Sequence, residues 1–184
     1  WQNGKVYLHS STQSIARVRP AMALFLGVSP DEVVLIGDYC GGGFGSKYNG
    51  TPPSVIPALL SKKTGRPVMM RISREEEHYI GRGRAGLHVR AKMGLRSDGR
   101  ITAIDLMVVQ DNGPYAKQND HGALATCVSA QYAPENLRYR GISVLTNTPQ
   151  RLSRRGPGGV QASMMIEPLV SKAANQLRVD QIEI

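Results

Sequence analysis

A chain of 184 residues, 41% of them hydrophobic, has the composition of an ordinary globular protein and is long enough to bury a core. Its net charge of +9 raises nucleic acid, anionic membranes and anionic ligands as partners, but the Lys and Arg residues are scattered, without long runs or interleaved aromatics, which argues against nucleic acid. The sequence contains no apolar run long enough to span a membrane. Cys40 and Cys127 stand alone, with no C-x-x-C, so this chain is expected to carry neither an iron–sulfur cluster nor a zinc ribbon. Isolated thiols of this kind fit a reducing cytoplasm.

The chain opens without an initiator Met or a signal peptide, and both of its ends read as continuing. Lys5-Val6-Tyr7-Leu8-His9 predicts a short strand leaving an Asn-Gly turn. Ser10-Ser11-Thr12-Gln13 supplies capping residues for a helix with Ile15, Val18, Met22 and Phe25 on one face. Pro20 is expected to kink that helix or to mark its true start, and Gly27 to close it. A strand at residues 33–36 leads into a glycine-rich loop. A helix follows from Pro52-Pro53, with Val55, Ile56, Leu59 and Leu60 on one side and a stop at Gly65.

Val68-Met69-Met70-Arg71-Ile72 reads as a returning strand, and Ser73-Arg74-Glu75-Glu76-Glu77 as the cap of a short solvated helix. Alternation of Leu87, Val89, Ala91, Met93 and Leu95 with His88, Arg90 and Lys92 predicts a half-buried strand. The Asp98-Gly99 pair makes it one arm of a hairpin with a two-residue turn, returning through Ile101, Ile104, Leu106 and Val108. Asp111-Asn112-Gly113-Pro114 is a turn. Residues 117–130 are polar, then small and apolar, and residues 139–145 read as a strand. A last helix carries Met164, Leu169, Val170, Ala173 and Leu177, interrupted at Pro168. The expected class is α/β (α+β mixed), with mixed sheets and packed helices in a single region covering 1–184.

The chemistry centres on Asp38-Tyr39-Cys40-Gly41-Gly42-Gly43-Phe44-Gly45-Ser46-Lys47. Glycines let a backbone approach a ligand closely. The loop is not a Walker A sequence, because Ser46 precedes Lys47, and it lacks the last glycine of a dinucleotide fingerprint. Taken in order, Ser11-Thr12-Gln13, this loop and Arg155-Gly156-Pro157-Gly158-Gly159-Val160-Gln161 resemble the molybdenum-binding subunit of the xanthine dehydrogenase/aldehyde oxidase family. Thr64-Gly65-Arg66-Pro67-Val68 and Ser97-Asp98-Gly99-Arg100-Ile101 extend the resemblance through most of the chain.

That resemblance implies part of an oxidoreductase that hydroxylates aldehydes or N-heterocyclic aromatics with water as oxygen source. The cofactor it implies is a molybdenum–pyranopterin (molybdopterin) in its cytosine dinucleotide form, with no direct side-chain ligand on the metal. It further implies 2Fe-2S clusters and FAD in partner chains or domains: an iron–sulfur subunit, a flavin subunit and the remainder of the molybdenum subunit. Gln13 matches a glutamine that hydrogen-bonds an oxygen on the metal, and Phe44 an aromatic lining the substrate funnel. Gly42, Gly43 and Gly45 match the first cofactor loop. Arg155, Gly156, Gly158 and Gln161 match the second.

Two departures bear on substrate. Tyr48 stands where purine-oxidising members carry glutamate, and Ser153-Arg154-Arg155 lacks the reactive cysteine of carbon monoxide dehydrogenases. The family's glutamate base has no counterpart here, so this stretch alone is expected to be catalytically incomplete. The rival readings are a family member with another reaction, such as hydration, and a basic binding module using Arg82, Arg84, Arg90, Arg138 and Arg140.

Overall fold

The computed structural model describes residues 1–115 and 118–184, which fall into two compact units, residues 1–82 and 83–184. In the first unit, Asn3 and Gly4 both take positive φ (49° and 75°), and Gln2 and Lys5 exchange 2.9 Å backbone bonds across them. This is the expected Asn-Gly turn. It launches β1 (Val6–His9), which pairs in parallel with β2 (Val33–Ile36). The crossover is α1 (Ile15–Leu26), followed by a 3-10 turn at Pro30–Glu32. Val18, Met22, Ala23 and Leu26 of α1 pack with Val6, Leu8, Val33 and Leu35 in one core.

Details of this unit differ from expectation. Ser14 caps α1, its Oγ accepting from the Arg17 N–H at 3.4 Å, so residues 10–13 are free for other work. Ile15 and Phe25 lie on the exposed side, and the buried stripe runs through Ala23 and Leu26 instead. The helix starts ahead of Pro20 and continues through it. A proline forfeits one intrahelical bond, and burial of the stripe offsets that loss. Gly27 (φ 66°) ends α1 as expected, its N–H reaching the carbonyls of Ala23 and Leu24.

α2 (Pro52–Thr64) begins and stops where predicted, with Gly65 at φ 65°. Its apolar side is nonetheless mostly open: Ala58 is buried, whereas Ile56, Leu59 and Leu60 are exposed. Residues 68–72 form no strand. The sheet of this unit consists of β1 and β2, and the segment pairs with neither of its outer edges. α3 (Arg74–Ile80) carries the expected cap, a reciprocal box between Ser73 and Glu76.

In the second unit β3 (Leu87–Leu95) and β4 (Ile101–Asp111) form the predicted antiparallel hairpin. The turn is one residue longer than expected. Arg96 N–H bonds to Arg100 O (2.9 Å), Gly99 N–H bonds to Arg96 O (3.1 Å), and Gly99 sits at φ 89°. This is the loop in which a glycine at positive φ follows a tight turn. β5 (Asn136–Val144) pairs in parallel with β4, giving the order β3-β4-β5. The crossover between them is α4 (Asp120–Tyr132), a helix where the sequence showed only a small apolar stretch. Lys117, the start of that stretch, lies outside the described residues.

α5 (Gly159–Leu177) runs through Pro168 without a break. Leu124, Ala125 and Val128 of α4 and Ala162, Ile166 and Val170 of α5 pack with Ile104, Leu106 and Val108 of β4. Among the described residues both cysteines are free thiols, and no helix is long and apolar enough to cross a membrane.

Asp111, at the end of β4, ties down the chain that leads to the second glycine loop. Its carboxylate accepts from Thr146, from Thr148 (3.0 Å), and from Arg151 through Nε (3.1 Å) and Nη2 (2.8 Å). Burial alone would raise its pKa. The hydrogen bonds of Thr146, Gly113, Arg151 and Thr148 outweigh that and hold the carboxyl well below the usual range. With the folded value lowered, the contribution is present in full above the unfolded carboxylate pKa of about 4 and is lost as pH falls from there toward the folded value. Asp111→Asn is expected to cost about 1.5–3 kcal/mol at pH 7. Thermal unfolding of the full-length variant should show that cost at pH 7 and a clearly smaller one at about pH 2. An equal cost at both pH values would mean that the charge contributes nothing.

Candidate functional site

The first glycine loop turns between Gly43 and Ser46, whose N–H bonds to Gly43 O at 2.8 Å while Ser46 Oγ bonds to the same oxygen at 2.7 Å. Phe44 and Gly45 occupy the centre of this turn with φ of 49° and 95°. Positive φ is easy for glycine and costs a bulky side chain about 1–2 kcal/mol. Phe44 therefore holds a strained position, and 59% of its surface is exposed. Its ring lies over Gly42, where an added Cβ would come within 2.8 Å of Phe44 Cε2.

Residues 11–13, released from capping α1, bind this loop. Gln13 N–H bonds to Lys47 O (2.8 Å), and Gln13 Oε1 accepts from the N–H groups of Gly45 (3.0 Å) and Lys47 (3.2 Å). A carboxamide whose oxygen receives two N–H groups must present its NH2 on the opposite side. Gln13 is exposed there, and its Nε2 donates to no described residue. Gly43 is what permits this fit. A Cβ at Gly43 would overlap the Gln13 carboxamide and stand 2.6 Å from its Cγ. Arg82, 6% exposed, donates to Gly45 O at 3.1 Å and supports the turn from behind.

In the second unit the loop before α5 is held by Arg84. Its Nη2 donates to Arg155 O (2.6 Å), and its Nη1 to Gly156 O (3.2 Å) and Gln161 Oε1 (3.4 Å). Gln161 is buried and passes the bond on from Nε2 to Ala85 O (3.3 Å). In a trans peptide the N–H points opposite its carbonyl, so with Arg155 O turned toward Arg84 the Gly156 N–H is turned away from it. Gly158 caps α5 at φ 73° with no side chain to accept the first-turn N–H groups. A helix beginning this way presents donors and partial positive charge.

The structure thus brings Gln13, Gly43 and Gly45 together, with Gly42 and Phe44 in the same loop, and groups Gly156 and Gln161 with Arg155 O around one guanidinium. Sequence reading placed Arg82 and Arg84 on a basic outer face. Arg82 is buried instead, and both side chains bond to loop carbonyls. Arg138 pairs with Asp105 at 2.5 Å, which leaves the basic-module reading with a weaker patch than the composition promised. The alternation Gly81-Arg82-Gly83-Arg84 was the available signal.

The donors are therefore a carboxamide NH2 in the first unit and, in the second, the Gly156 amide and the start of α5. Among the described residues no three His, Cys, Asp or Glu side chains gather to hold a metal. Taken unit by unit, donors of this kind suit an anionic group that carries its metal on its own organic ligand. The sequence profile of the molybdopterin cofactor-binding domain matches residues 1–184. This chain belongs to that family.

The chain is 30% identical over 185 residues to the aldehyde oxidoreductase of Megalodesulfovibrio gigas, covering 99% of this chain and 20% of the relative. It is 34% identical over 184 residues to the indole-3-acetaldehyde oxidase of Arabidopsis thaliana, covering 96% and 13%. Among solved structures, quinoline 2-oxidoreductase from Pseudomonas putida 86 superposes with a TM-score of 0.87 at 25% identity, over 97% of this chain and 23% of that one. The Desulfovibrio gigas aldehyde oxidoreductase superposes at 0.83 and 27% identity, over 100% and 20%. The chain therefore spans between 13% and 23% of the length of these proteins. The mixed α/β architecture is the one those structures share, and at family level the relatives are oxidoreductases.

Proposed function

We propose that this chain is one region, residues 1–184, of the cofactor-binding part of a molybdenum hydroxylase. Its substrates are aldehydes or N-heterocyclic aromatics, oxidised with water as the oxygen source. The observation that carries the reading is the Gln13 carboxamide, oriented by two backbone N–H groups so that its NH2 faces outward. Bound, the molybdenum–pyranopterin supplies the redox and oxygen-transfer chemistry. The residues here hold and orient. Gln13 Nε2 donates a hydrogen bond without adding charge or ligating the metal. Gly42, Gly43 and Gly45 allow close backbone approach, and Phe44 offers an aromatic face to a planar substrate.

In the second loop, Arg155, Gly156 and Gly158 supply a cation, an amide and a helix start to anionic oxygens. Gln161, with its amide engaged by Arg84 and Ala85, acts by fixing that loop. The general base is supplied from outside these residues, as are the iron–sulfur and flavin groups that accept the electrons. The cytosine dinucleotide form of the cofactor and a cytoplasmic location belong to the same proposal. Tyr48 in place of an acidic residue favours aldehydes and simple N-heterocycles over purines.

The test is metal and phosphorus analysis of the full-length protein, followed by Gln13→Ala. Stoichiometric molybdenum in both proteins, with turnover of benzaldehyde reduced about 10–100-fold in the variant, is the expected result. Molybdenum-free wild-type protein would sink the reading. Unchanged turnover in the variant would return Gln13 to an architectural role.

A further inference from the structure

We propose that Lys47, acting with Ser11, is the positioning residue that keeps the Gln13 carboxamide turned outward; the inference rests on the cofactor-facing role proposed for Gln13. Lys47 Nζ donates to Ser11 Oγ and to Cys40 O, each at 2.6 Å. Ser11 Oγ in turn donates to the same Cys40 carbonyl, so ammonium, hydroxyl and carbonyl close a triangle. The backbone of Lys47 grips Gln13 from both sides. Its carbonyl accepts from Gln13 N–H at 2.8 Å and from Thr12 Oγ1 at 3.3 Å, and its N–H donates to Gln13 Oε1 at 3.2 Å.

One residue therefore joins three points: the start of the glycine loop at Cys40, its end, and the segment carrying Gln13. Four of the seven residues from 41 to 47 are glycine, and a loop of that composition is costly to hold in one conformation. Anchoring both ends confines it. The loop N–H groups of Gly45 and Lys47 fix which way the carboxamide faces, so loosening either end frees the amide to rotate and takes its donor away. A solvated surface lysine would not do this. Lys47 is only half-exposed, and its ammonium is spent on a carbonyl and a hydroxyl.

The test compares Lys47→Met, Ser11→Ala and Ser11→Thr with Gln13→Ala in the full-length, cofactor-loaded protein. The methionine keeps the stem and removes the donors, and the threonine keeps the hydroxyl. Four measurements are made: molybdenum per protein, melting temperature, the Mo(V) electron paramagnetic resonance spectrum after dithionite reduction, and kcat and KM with benzaldehyde. Lys47→Met and Ser11→Ala are expected to shift the Mo(V) spectrum toward that of Gln13→Ala and to lower kcat roughly 10-fold with little change in KM. Ser11→Thr should keep the wild-type spectrum and rate.

Wild-type spectra and kcat in Lys47→Met, alongside altered ones in Gln13→Ala, would overturn the inference while leaving the proposed function intact. So would a fall in melting temperature and metal content with an unshifted spectrum from the loaded fraction. If Lys47→Met fails to accumulate, the contrast between Ser11→Ala and Ser11→Thr decides in its place. Wild-type protein without a molybdenum signal removes the cofactor reading, and this inference with it.

Discussion

Replacing Gly43 with alanine in the full-length protein is expected to remove most of its molybdenum while leaving its melting temperature nearly unchanged. Gly43 is not held at positive φ, so a side chain there carries no intrinsic backbone penalty. What it meets is Gln13, whose Oε1, Cδ and Cγ all lie inside normal contact distance of the new Cβ. A glutamine at an exposed position can swing away at modest cost to folding, of about 1 kcal/mol for the hydrogen bonds released. In swinging, it gives up the bonds to Gly45 and Lys47 and moves, with the new methyl group, into the space proposed for the cofactor, an obstruction that Gln13→Ala does not create. The measurement is molybdenum per folded molecule beside a melting curve. Full metal occupancy at wild-type stability would show that nothing is bound at this face. A large fall in melting temperature with metal retained by the folded fraction would make Gly43 a packing residue.

That separation of folding from binding follows the line between what the sequence made legible and what it did not. β1, β2 and the β3–β4 hairpin were readable because alternation with period two, an Asn-Gly turn and an Asp-Gly pair are local signals. The helix starts at Pro52 and Arg74 were readable for the same reason. α4 was not, because Ala, Gly, Ser and Thr give a helix little hydrophobic contrast. Its burial rests on Leu124, Ala125 and Val128, which become a stripe only when β4 is present to cover them. The strand expected at 68–72 failed for the converse reason: a strand needs a partner edge, and pairing is not written in the segment itself.

The site shows the same division. The glycine loops and Gln13 could be found by motif, but which way Gln13 faces could not. That depends on N–H groups more than thirty residues away. Arg82 and Arg84 looked like surface charge until Gly45 and Arg155 were seen to supply their carbonyl partners, at separations of 37 and 71 residues. The strain at Phe44 was hidden too, since nothing in the string Gly-Gly-Phe-Gly says which residue takes the positive φ.

Gly158→Ala is expected to act in the opposite sense to Gly43→Ala, destabilising the protein by about 2–5 kcal/mol with metal lost only through unfolding. Two costs combine there. The residue caps α5 at φ 73°, which any L side chain resists. Its Cβ would also stand 2.5 Å from Asp120 O and 2.6 Å from Leu124 N, both backbone atoms in the first turn of α4. Backbone cannot step aside as a glutamine can, so α4 and α5 would have to separate where Leu124, Ala162 and Ile166 close the core. Gly156→Ala is the control. It shares the positive φ, at 64°, but its Cβ meets the Val160 side chain at 3.1 Å, a neighbour able to give. The comparison is melting temperature and amide exchange across α4 and α5 in the full-length variants. Gly158→Ala should raise exchange in both helices well beyond Gly156→Ala. Equal effects from the two would mean that only the φ penalty operates, and that α4 does not approach the start of α5 as closely as the Gly158 contact requires.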